Sequence, residues 1–127
     1  MPVYFPDSDA ARLRERLADP NALLVACLCA AWCGTCREYQ PRFAELAERR
    51  PGSVFAWVDI EEHPDLAGDD DIEDFPTLLV QDAAGRTLFY GPMLPHIGHL
   101  ERLLEAFAAG PAAPAAHPGP PLRRQLA

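Results

Sequence analysis

Leu23–Leu28 (LLVACL) is an unbroken apolar run of strand length, set between the breaker Asp19-Pro20-Asn21 and a segment, Ala30–Pro41 (AAWCGTCREYQP), that leads into a helix. A strand with no polar alternation is buried on both faces, which is the pattern of a parallel or mixed sheet covered by helices on each side. Val54–Ile60 (VFAWVDI) is a second such run, and between the two lies a helical pattern with Phe43, Leu46 and Ala47 inward and Arg42, Glu45, Glu48 and Arg49 outward. Strand, helix, strand at this spacing is a crossover unit with parallel strands.

The remaining elements extend that unit. Val3–Phe5 is a short strand closed by Pro6, and Asp7, Ser8 or Asp9 can cap a helix reaching about Ala18, with Leu13 and Leu17 on one face. Pro41 falls inside the second helix and Pro51-Gly52 stops it. A short helix fits near Pro64–Gly68. Thr77–Gln81 and Arg86–Tyr90 flank Asp82-Ala83-Ala84-Gly85 as a hairpin, with Gly91-Pro92 breaking its second strand. A last helix runs from about Pro95 to Ala109, with Ile97, Leu100, Leu104 and Phe107 along one stripe. The order β-α-β-α-β-α-β-β-α predicts an α/β fold: a mixed sheet of about five strands with about four helices on its two faces.

We divide the chain into an ordered domain, residues 1–109, and a tail, 110–127. Five of the eleven residues from Pro111 to Pro121 are proline and apolar periodicity is lost, so the tail is expected to be disordered or polyproline-like. A docking peptide using its prolines or Arg123-Arg124 is the alternative.

The net charge of −8 argues against nucleic acid and anionic membranes as partners. The amino terminus carries acids and no apolar run of the signal-peptide kind, and no stretch approaches the roughly 20 apolar residues that span a bilayer. The expected location is the cytoplasm, where a C-x-x-C reads as catalytic or metal-binding before it reads as structural.

All four cysteines lie within ten residues: Cys27 and Cys29 in the apolar run, Cys33 and Cys36 after it. Cys33 stands at a strand-to-helix junction, where unpaired backbone N–H groups favour negative charge, and Cys36 is one turn further on the same side. A thiolate is the nucleophile of disulfide exchange, so Cys33 is the attacking residue and Cys36 the resolving one. A lone C-x-x-C can also be half a zinc site, but a place inside a β-α-β unit favours redox chemistry. Cys27 and Cys29 share a strand face with Cα atoms about 6.6 Å apart, too far to bridge each other. They read as small apolar residues filling a core. The sharper alternative makes Cys27 a third redox-active thiol able to trap Cys36. A four-cysteine metal site is disfavoured by strand geometry, and no metal is expected. His96 and His99 near the start of the last helix read as surface histidines.

Taken together, Trp-Cys-Gly-Thr-Cys at Trp32–Cys36, the helix proline Pro41, Asp59–Pro64 (DIEEHP), Phe75–Leu78 (FPTL) and Gly91 show that residues 3–108 resemble the thioredoxin family. The resemblance implies a thioredoxin fold and a protein-disulfide oxidoreductase that cycles through a Cys33–Cys36 disulfide without organic cofactor. It implies a cis bond before Pro76. It also implies a substrate groove of Trp32, Gly34, Thr35, Phe75, Pro76 and Gly91, with substrate backbone pairing at Phe75. Disulfide-containing proteins and a thioredoxin reductase are the partners it implies, for a monomer.

Two departures stand out. Most members have proline where this chain has Thr35, which adds a backbone donor near the Cys33 sulfur and should make the pair more oxidising. Where the family keeps a buried aspartate behind the dithiol this chain has Cys27, and where it keeps a neighbouring lysine this chain has Trp57. Losing both together avoids an unpaired buried charge, but leaves Cys36 without its usual base, so turnover would be slower or rely on water. Asp59, of the same strand parity as Trp57, could substitute. A binding or chaperone module using the same groove with weak turnover is the rival function. The nine acids from Asp59 to Asp74 either form a solvated face or select basic partners.

Overall fold

The structure is a computed structural model in which residues 3–67, 72, 75–110 and 114–127 are described. Five of the nine acids from Asp59 to Asp74, namely Asp69, Asp70, Asp71, Glu73 and Asp74, therefore lie outside the described residues, and so does the expectation about the role of the run.

Five strands form one sheet in the order β1-β3-β2-β4-β5. They are β1 (Val3–Tyr4), β2 (Leu24–Cys29), β3 (Val54–Asp59), β4 (Thr77–Gln81) and β5 (Thr87–Pro92). β1 and β2 run parallel to β3 on either side of it, whereas β4 pairs antiparallel with both β2 and β5. β2, at the centre, is fully buried along its length, as its unbroken apolar run requires. β5 continues through Gly91-Pro92 rather than ending at Tyr90. It is an edge strand, where a proline lacking an N–H does no harm to the ladder.

Alternate residues of the strands serve two cores. On one face α2 (Gly34–Arg49) and α4 (Ile97–Ala109) cover Val25, Cys27, Cys29, Phe55, Leu78 and Val80. On the other, α1 (Ala10–Leu17) and α3 (Pro64–Ala67) cover Leu24, Ala26, Leu28, Val54, Ala56 and Leu79. The period-2 alternation of each strand thus decides which side chains meet the helix that begins at the cysteine pair.

The described part of the tail is not disordered. Residues 122–126 form a further helix, α5, whose Leu122 is fully buried in the second core. Arg123, 5% exposed, donates through its guanidinium to the carbonyl oxygens of Leu17, Asp19 and Ala22. Gln81 links strand and tail: its Nε2 donates to the Pro120 carbonyl at 3.0 Å, and its Oε1 accepts the Arg123 backbone N–H at 2.9 Å. Composition suggested disorder because prolines remove periodicity. A segment held by a few buried anchors needs none.

Candidate functional site

The site is built where β2 ends and α2 begins. Cys33 occupies the N-cap of α2 in an extended conformation, and its carbonyl accepts the Arg37 N–H at 3.2 Å, opening the helix. The first-turn N–H groups that have no helical partner lie around it. Cys33 carries a free thiol and is partly exposed; Cys36, one turn on, is buried at 1% exposure and faces the sheet core.

Of the residues expected to line a groove, Trp32 and Phe75 are in ring contact next to Cys33. The Phe75–Pro76 bond is cis. The Trp32 ring, 62% exposed, meets Phe75 edge-on with centroids 5.6 Å apart, and its indole N–H donates to Glu61 Oε1 at 3.0 Å. Gly91 pairs with Leu78 across the β4–β5 ladder, and the Pro76 carbonyl accepts the Met93 N–H at 3.0 Å. Gly34 and Thr35 form the first turn of α2, and Pro41 lies inside the same helix.

The disulfide is where sequence and structure part. The bond is not between Cys33 and Cys36 but between Cys29 and Cys36, whose Cα atoms are 5.9 Å apart. Cys29 is the last residue of β2, level with the first turn of α2, so its side chain meets Cys36 across the helix–sheet interface. Cys27 lies one strand repeat deeper. Its sulfur is 3.7 Å from that of Cys29 and is not bonded to it. The strand thiol that traps Cys36 is therefore Cys29, not Cys27.

Burial pushes the Cys27 thiol well above its ordinary range, so it stays protonated and apolar in behaviour. Burial, with Cys27 adding, also raises the Tyr39 phenol. The Tyr39 hydroxyl is, among the described residues, a buried side-chain polar atom without a hydrogen-bond partner. Trp57, paired in register with Cys27 on the adjoining strand, stacks edge-on with Phe43 at 5.7 Å. Among the described residues, the buried side chains of the core that holds the cysteines are uncharged.

Beside it opens a cleft of about 370 Å³ lined by Phe5, Cys36, Arg37, Trp57, Asp59 and Glu62. It brings a carboxylate, Asp59, to the same cleft as Cys36, although Asp59 Oδ1 is already engaged by the Glu61 N–H at 2.9 Å. Among the described residues, a group of side chains able to hold a cation is Asp7, Glu62 and His63, whose ligating atoms all lie within 4.8 Å of one another. None of the cysteines takes part in it. His96 and His99 are both near the start of α4, their rings 6.0 Å apart.

Comparison with known proteins agrees with this geometry. A family model described as Thioredoxin matches residues 7–92. A thioredoxin H-type from Oryza sativa subsp. indica is 45% identical over 56 residues, which cover 43% of this chain and 46% of the relative, so that the chain spans about half the length of the relative it matches. Among solved structures, the thioredoxin of Schistosoma mansoni superposes with a TM-score of 0.67 at 26% identity, covering 83% of this chain and 94% of that one. A thioredoxin f2 in complex with ferredoxin:thioredoxin reductase gives a TM-score of 0.66 at 19% identity, covering 84% and 93%. With its family match over most of the sheet and the cysteine-bearing helix start in place, the chain belongs to the thioredoxin family.

Proposed function

We propose that this protein is a thiol–disulfide oxidoreductase that reduces protein disulfides, with Cys33 as nucleophile and Cys36 as resolving thiol. The observation that carries the reading is the free, partly exposed Cys33 at the N-cap of α2, with Cys36 one turn behind it. Cys33 attacks a substrate sulfur, the helix start stabilises the thiolate, and Cys36 then attacks Cys33 to release the reduced product. Trp32, Gly34, Thr35, Phe75, Pro76 and Gly91 form the groove that holds an extended substrate segment. Cys27, Trp57 and Pro41 shape the core and helix behind the dithiol.

The chemistry needs no organic cofactor and no metal, since both electrons reside in thiols. Electrons return from a reductase of the thioredoxin reductase type or from a small dithiol. We place the protein in the cytoplasm as a monomer; among the described residues no helix is long and apolar enough to cross a membrane. With a net charge of −8, nucleic acid and anionic membrane are poor partners.

The reading is tested by trapping. A Cys36→Ser variant mixed with insulin should accumulate a mixed disulfide at Cys33, and the double variant with Cys33→Ser should form none. No adduct at Cys33, or equal trapping by both variants, contradicts it.

A further inference from the structure

Three sulfurs stand where a two-cysteine cycle needs two. Cys36 can meet Cys33, three residues before it on the same helical side, and it is bonded to Cys29 across the core. Cys29 and Cys36 are both essentially without solvent exposure, whereas Cys33 is left at the surface with its thiol free. The Cys27 sulfur, 3.7 Å from Cys29, is a thiol in this state and its S–H can donate to the bonded sulfur.

We propose, building on the oxidoreductase reading, that Cys29 is a third catalytic cysteine that takes Cys36 over from Cys33, moving the disulfide into the core and returning Cys33 to the surface as a thiol. The steps balance without any added oxidant. The Cys33 thiolate attacks a substrate disulfide and expels one substrate thiolate. The Cys36 thiolate attacks the Cys33 sulfur, expels the second substrate thiolate and forms Cys33–Cys36. The Cys29 thiolate then attacks the Cys36 sulfur, forming Cys29–Cys36 and releasing Cys33 as the leaving thiolate at the helix start, where negative charge is favoured. The first two steps oxidise the enzyme by two electrons, and the protons of Cys36 and Cys29 leave through water to the two substrate thiolates. The last step is an isomerisation with no net change in oxidation. The cleft that Cys36 and Asp59 line supplies a path for the Cys36 proton, and Cys29, beside Cys36, passes its own proton out by the same end of the core.

This exchange changes what the oxidised protein can do. An ordinary dithiol is silent once oxidised, but here Cys33 stays nucleophilic. It can attack a second disulfide and hold that partner covalently, because Cys36 is committed to Cys29 and cannot resolve the adduct. Release then waits on a reductant that reopens Cys29–Cys36, so substrate release is tied to the supply of electrons.

The test uses the full chain, reduced, freed of reductant and oxidised with one molar equivalent of bis(2-hydroxyethyl) disulfide, a small probe that needs no recognition groove and leaves no second disulfide for Cys33 to attack. Native labelling with iodoacetamide precedes acid quenching, and remaining thiols are then blocked with N-ethylmaleimide under denaturing conditions. Chymotryptic cleavage after Leu28 and Trp32 separates Cys27, Cys29 and the Cys33/Cys36 peptide for mass spectrometry. The proposal expects Cys29 cross-linked to Cys36, with Cys33 labelled at least tenfold more than in Cys29→Ser, where the bond reverts to Cys33–Cys36. A Cys33–Cys36 bond in the wild type, the same bond that Cys29→Ala forms, with the wild-type Cys29 recovered as its N-ethylmaleimide adduct, overturns it. Insulin reduction measured in parallel keeps the two readings apart. A Cys29–Cys36 bond in a protein that reduces no insulin upholds the internal exchange and removes the protein-disulfide reading, whereas insulin reduction with a Cys33–Cys36 bond does the reverse.

Discussion

Cys27 sits at the centre of β2 with no exposed surface, and the neutral thiol is the form the core tolerates. Its folded-state pKa lies above its unfolded value, so its contribution to stability is complete below about pH 8.5, the ordinary cysteine value, and is lost as pH rises toward the folded value. Each pH unit in that window removes about 1.4 kcal/mol. Urea midpoints between pH 7.5 and 9.5 should therefore fall in the wild type and fall less in Cys27→Ala. Equal slopes would contradict the assignment. Thr35 offers a second residue-scale prediction. Its backbone N–H belongs to the unpaired first turn of α2, so Thr35→Pro removes a donor near Cys33 and should lower the reduction potential of the dithiol. An unchanged or higher potential in a glutathione redox titration would contradict it. At this scale the apolar run of β2 and the helical pattern after it are enough to set Cys33 and Cys36 at the start of α2, where the structure has them. The sequence did not show which strand cysteine faces Cys36. Cys27 and Cys29 have the same parity, and what separates them is height along β2 relative to the helix start, a quantity set by the connecting turn rather than by spacing.

Among the elements, the boundaries of β2, β3 and α2 follow from apolar runs and breakers that were plain in the sequence, and the hairpin of β4 and β5 from its turn residues. The tail is where pattern-reading failed. Leu122 and Leu126 are spaced i, i+4, the one trace of a helix there, but the prolines before them obscured it. The anchoring is polar as much as apolar: the Gln81 amide, 2% exposed, also donates to Thr87 Oγ1, and the Thr87 hydroxyl in turn donates to the Pro118 carbonyl. Gly119 adopts a φ of +63° against the Tyr90 ring, where a Cβ would lie 2.7 Å from the ring. Burial of a leucine is worth about 1.5–3 kcal/mol, and hydrogen bonds from a charged donor about 1.5–3 kcal/mol. Ending the chain at Gly110 should thus cost about 3 kcal/mol or more, read as a lower urea midpoint. A truncated chain as stable as the full one would show that α5 docks without contributing.

For the molecule as a whole, the two cores and the single mixed sheet fix one functional end, where the starts of α2 and β5's last residues converge with the cis Phe75–Pro76 bond. Behind the cysteine pair, Cys27 and Trp57 face each other across β2 and β3, and both are uncharged. Two residues beyond Cys27 on the same strand face, Cys29 sets a further sulfur against the resolving one. A protein built this way should still reduce disulfides, with water and Asp59 in the Cys36 cleft standing where a buried acid would. The most direct measurement is insulin reduction with dithiothreitol as electron donor, following precipitation of the free B chain for wild type and Cys33→Ser. The account predicts acceleration over dithiothreitol alone by the wild type, and a variant that does no better than dithiothreitol; a wild type no faster than Cys33→Ser would contradict it, leaving a thioredoxin-fold module that binds its partners without reducing them.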